Sequence, residues 1–113
     1  MDNKKKAFLR LVKSAFFYAQ DVHRCADGEV DKLSALSYAA ACTAKSSAAE
    51  AIYWNTPELE RNDISELLHQ FDVYTDEVRE CLESNHSLQW EDIHFNTLEE
   101  AFNASPCSQP IPE

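Results

Sequence analysis

Gly28 is the only glycine in the 113-residue sequence. An all-β chain needs glycine at many of its turns, so a chain with one glycine is restricted to a few long helices joined by short connections. Proline points the same way. Pro57 stands alone, and the other three prolines fall within the last eight residues. An apolar fraction of 44% is that of a globular chain, and this length makes one domain with one continuous core. The expected fold is therefore all-α: a small antiparallel helical bundle of four helices, the fourth short, over residues 1–103. Residues 104–113 read as an extended, mobile, Pro-rich tail.

Helical periodicity places the elements. Phe8, Leu11, Val12, Ala15, Ala19, Val22 and Ala26 recur at three-and-four spacing, which predicts a first helix to about Ala26 with Phe16 flanking the stripe and Phe17 roughly opposite. Gly28 stops it. A second helix is expected from Asp31 to Asn55, with an inner stripe of Leu33, Leu36, Ser37, Ala40, Ala44, Ser47, Ala48, Ala51 and Trp54. Its back carries Tyr38, Cys42, Ala49 and Tyr53, so core on both faces is expected for a central helix. Thr56-Pro57-Glu58 and Asp63-Ile64-Ser65-Glu66 are alternative start signals for the third helix. That helix runs to about Glu83 on the stripe Ile64, Leu67, Leu68, Phe71, Thr75, Val78 and Leu82. Residues 84–87 read as a polar connection, and Leu88 to Phe95 fits no single period. A short capped helix around Asn96–Glu99 turns Leu98 and Phe102 inward beside Phe95.

Charge is unevenly spread. Lys4, Lys5, Lys6, Arg10 and Lys13 lie in the first thirteen positions. From Pro57 onward there are two basic residues, Arg61 and Arg79, against fourteen acids, a net −12 within a chain of net −10. Such a field repels nucleic acid and anionic membranes and draws in basic partners. No stretch approaches the ~20 apolar residues of a membrane span. Arg10 and Lys13 interrupt the only run that looks like a secretory signal, so a cytoplasmic location is expected. Cys25, Cys42, Cys81 and Cys107 form no CxxC pair, which favours buried free thiols over a zinc or redox site.

No cofactor or metal is expected. Glu66-x-x-His69 and Glu91-x-x-His94 have the spacing of ferritin-like di-metal bundles, where the pair points inward. Glu66 and His69 instead fall opposite the Ile64-Leu67-Phe71 stripe. Arg79 and His86, with six residues between them, resemble the Arg-His pattern of the helical nucleotide-binding ribonuclease bundles. That resemblance implies an enzyme in which the pair contacts phosphate, although Glu80 and Glu83 oppose an RNA backbone. The leading expectation is a non-enzymatic protein-binding protein of inhibitor or immunity type, covering a basic, nucleic-acid-acting partner by charge complementarity. Its contact residues would be Glu58, Glu60, Glu66, Asp72, Asp76, Glu77 and Glu80, with Phe17, Tyr53 and Trp90 as exposed aromatic anchors. A homodimer packed through the Ala-rich second helix is the third alternative.

Overall fold

A computed structural model describes residues 3–27, 32–83 and 95–111. Among the described residues there are four α-helices, α1 (Asn3–Asp27), α2 (Lys32–Trp54), α3 (Asn62–Glu83) and α4 (Phe95–Ala104), and two 3-10 turns, Pro57–Leu59 before α3 and Pro106–Ser108 after α4. No strand occurs among the described residues, and the chain is the small all-α bundle expected.

The register of α1 against α2 follows from two ring contacts. Phe8 near the start of α1 meets Tyr53 near the end of α2 at 6.5 Å, and Tyr18 meets Tyr38 at 6.3 Å. Residue numbers rise along one helix as they fall along the other, so the pair is antiparallel. The buried stripe of α1 is Phe8, Val12, Ala15, Phe16, Ala19 and Val22. On α3 it is Ile64, Leu67, Leu68, Phe71, Tyr74 and Val78. Tyr74 is buried to 1% exposure and donates its hydroxyl to the Ala19 carbonyl at 3.1 Å, which satisfies the polar end of a core side chain.

The short α4 closes the bundle with aromatics. Phe102 stacks on Phe16 at 4.1 Å, Phe95 stacks on His23 at 4.6 Å, and Leu98 is fully buried between them in sequence. Each fully buried ring removes apolar surface worth about 1.5–3 kcal/mol from water. A ten-residue helix is too short to persist alone, and this packing sustains it.

α2 departs from expectation. Leu33 is 76% exposed, Leu36 41% and Trp54 73%, and Ser37, Ala40, Ala44, Ser47, Ala48 and Ala51 are exposed with them. The buried side is instead Ala35, Cys42, Ser46, Ala49 and Tyr53. The helix is thus rotated about half a turn from the expected stripe, and its core lies on one face rather than two. The reason is ring pairing: Tyr53 and Tyr38 meet the rings of Phe8 and Tyr18, and the small Ala35 and Ala49 are fully buried.

The segment after α4 differs too. It is not extended throughout: Ser105 caps the turn by accepting from the Cys107 amide at 3.2 Å, and Cys107 is fully buried. A small apolar thiol on a Pro-started 3-10 turn docks this stretch on the bundle. Thr56 is buried but caps nothing, and its hydroxyl finds no hydrogen-bond partner among the described residues. The second start signal therefore opens α3. There Asp63 accepts the Ile64 amide at 2.9 Å and both guanidinium contacts of Arg61, at 3.0 and 2.9 Å.

Candidate protein-binding surface

The acids of α3 are on the surface because the apolar residues of the same helix are not. With Ile64, Leu67, Phe71 and Val78 fixed inward, the opposite side presents Glu66, His69, Asp72, Asp76 and Glu80, all exposed, with Glu77 half-buried. Glu58 and Glu60 are exposed at the 3-10 turn that leads into the helix. The seven carboxylates expected to form one surface thus lie along one side of α3 and the turn before it.

Trp54 sits at the edge of that surface. It lies edge-on against buried Tyr53, with ring centroids 5.2 Å apart at 77°. A groove of about 220 Å³ runs between α2 and α3, walled by Glu50, Tyr53 and Trp54 on one side and Ser65, Leu68, His69 and Asp72 on the other. A second hollow of about 540 Å³ continues past Trp54 along Glu60, Arg61, Asn62 and Ser65. Trp54 is therefore an apolar step between an acidic groove and a polar hollow that holds both Glu60 and Arg61.

The electrostatics of the groove are strained in one direction. The wall position of Asp72 withholds water from its carboxyl and pushes its pKa up. Glu50 and Asp76 push it further, and only His69 opposes them. A cation seated here would relieve like-charge repulsion as well as gain attraction.

Of the three anchor aromatics expected, Phe17 is exposed, at 57%. Tyr53 is not: at 7% exposure it belongs to the core, because the half-turn rotation of α2 takes it inward and brings Trp54 out. Trp90 lies outside the described residues. Trp54 and Glu50 are the two surface residues that sequence reasoning passed over. Adjacent helical residues are 100° apart, so Tyr53 and Trp54 cannot share one narrow face, and that signal was present in the sequence.

Of the enzyme-like patterns, only Glu66/His69 falls wholly among the described residues. Arg79 is exposed and paired with Asp76 at 2.8 Å, while His86 lies outside the described residues. Glu66 and His69 both face solvent, and Glu66 accepts a hydrogen bond from Gln70 at 2.8 Å. The Glu91/His94 pair is outside the described residues. Among the described residues, no group of three or more His, Cys, Asp or Glu side chains is arranged to hold a metal ion. Nor is any described helix long and apolar enough to cross a membrane. Cys42, Cys81 and Cys107 are free thiols.

No protein-family model, no curated protein and no solved structure matches this chain.

Proposed function

We propose that the chain is a non-enzymatic protein-binding protein that engages a basic partner through the acidic side of α3 and the Trp54 corner. The observation that carries this reading is Trp54 itself, 73% exposed at a groove whose walls include Glu50 and Asp72. Large exposed aromatics beside matched charge are typical anchors of interfaces, and the surrounding carboxylates would steer a cationic surface toward it. A partner that acts on nucleic acid carries such a surface. An inhibitor or immunity-type role, in which this face covers the partner's substrate groove, is the specific form proposed.

A pull-down at two ionic strengths tests it, followed by Trp54→Ala and Asp72→Asn in the recovered complex. The expected partner is basic, binds less well at high salt, and is lost on Trp54→Ala. A captured partner that is not basic, or binding indifferent to salt, would reject the proposal.

One observation favours a second reading, a homo-oligomer packed through α2. Its exposed face, from Leu33 to Trp54, holds ten positions without a charge (33, 36, 37, 40, 43, 44, 47, 48, 51 and 54) in a chain of 27% charged residues. If α2 joins two copies, light scattering over rising concentration finds twice the chain's mass, and Ala44→Glu returns it to the monomer. A monomer at every concentration removes this reading.

A further inference from the structure

The outer side of α1 carries a surface of opposite sign. Lys6, Arg10, Lys13, Phe17 and Arg24 follow one another at steps of four, three, four and seven, which keep them on one helix face. Phe17 stands 57% exposed between two grooves. The first, about 440 Å³, is lined by Arg10, Lys13, Tyr18 and Ile111 among others, including the acid Asp21, which Arg24 pairs. The second, about 540 Å³, lies between Arg24, His23 and Phe95. Separate elements build the two walls. Ile111 is brought by the stretch that Cys107 anchors, and Phe95 belongs to α4, where it stacks on His23.

Arg24 is ion-paired with Asp21, whereas Arg10 and Lys13 have no ion-pair partner among the described residues. In a chain of net −10, two cations with no ion-pair partner among the described residues, beside an exposed ring, are the locally unusual feature. We infer that this face docks an acidic polypeptide segment, with carboxylates on Arg10 and Lys13 and apolar side chains in the hollows on either side of Phe17. Two hollows separated by one ring suit apolar residues spaced three or four apart on a helical ligand. The acidic remainder of the chain repels the extended negative charge of nucleic acid and of anionic lipid surfaces, whereas a short acidic segment meets only the local cations. This partner differs in sign and in position from the basic one proposed for α3.

Fluorescence anisotropy with the full chain tests the inference. The probe is a labelled peptide of glutamates carrying phenylalanine and leucine at helical spacing. Comparison probes are the same peptide with lysine for glutamate, a glutamate-only peptide and a single-stranded oligonucleotide. Saturable binding is expected for the first peptide alone. The double variant Arg10→Glu/Lys13→Glu and the single variant Phe17→Ser should each weaken it about tenfold or more, while Glu66→Gln on α3 leaves it unchanged. If the charge reversal disturbs the helix by circular dichroism, Arg10→Gln/Lys13→Gln serves in its place. The inference is overturned if the acidic amphipathic peptide does not bind, or if Phe17→Ser leaves its binding intact. It is equally overturned if the glutamate-only peptide or the oligonucleotide binds as tightly.

Discussion

Tyr74 and Cys42 show how single side chains set the limits of this bundle. Tyr74 reaches across the core to the Ala19 carbonyl, and Cys42 is fully buried on α2. Tyr74→Phe removes the bond while keeping the ring, so urea unfolding should show a loss of about 0.5–1.5 kcal/mol. Burial pushes the Cys42 thiol from its ordinary 9.0 up to about 12. Burial likewise raises the Tyr74 hydroxyl, with Cys42 and Glu77 adding to it. Both groups are acids whose neutral form is favoured in the folded state, so the unfolded chain releases their protons first. Stability is then complete below about pH 9 and falls as pH rises toward 12, by about 1.4 kcal/mol per pH unit for the thiol. Cys42→Ala should flatten that alkaline decline in denaturant titrations run across this range. The burial of Cys42 is expected from the sequence, whereas the role of Tyr74 is not. Thr75 was placed on the α3 stripe where Tyr74 carries the contact, because both lie near its edge and only the position of α1 chooses between them.

At the scale of the element, α1 and α3 were legible and α2 was not. The stripes of α1 and α3 are bounded by charges on the opposite side, so periodicity alone orients them. α2 holds few charges, and Lys45 and Glu50 are about 140° apart around the axis, so they mark neither face as the outside. Small residues occur all round it, and only the aromatic partners on α1 decide which side turns in. That orientation makes a sharp test with neighbouring alanines. Ala49 is fully buried, so Ala49→Leu should overpack the core and cost about 1–3 kcal/mol. Ala48 is exposed, and Ala48→Leu should change stability by less than about 0.5 kcal/mol. Equal effects in thermal unfolding, or the reverse order, would restore the stripe expected from sequence. The candidate site inherits the same history. Its acids are readable because α3 is, whereas small-residue periodicity turns Trp54 inward with the rest of its helix. The closing turn was obscured for another reason: proline content reads as an extended chain, and one buried cysteine among polar neighbours leaves no period to detect.

Over the whole molecule, charge is separated: cations along α1, acids along α3 and the α2–α3 corner. The ion pairs Arg24–Asp21, Arg61–Asp63 and Arg79–Asp76 join residues two or three apart in sequence, and each involves a largely exposed arginine. Pairs of this kind contribute about 0–1 kcal/mol and do not tie one helix to another. Repulsion, by contrast, acts between helices, as Glu50 on α2 does on Asp72 of α3. Raising the salt screens both, with a Debye length of about 8 Å at physiological ionic strength. Since these three attractions are short and local while the net −10 is distributed, screening should remove more repulsion than attraction. Thermal unfolding followed by circular dichroism should therefore show a midpoint that rises with added sodium chloride. Glu50→Gln should raise the low-salt midpoint and reduce the salt dependence, because it deletes the inter-helix repulsion. It should also lower the Asp72 pKa toward the usual carboxylate range in an NMR titration. A midpoint that falls with salt would mean that cross-helix attraction outweighs the crowding of acids. The α2–α3 groove would then be electrostatically satisfied in the free chain, leaving a basic partner little repulsion to relieve.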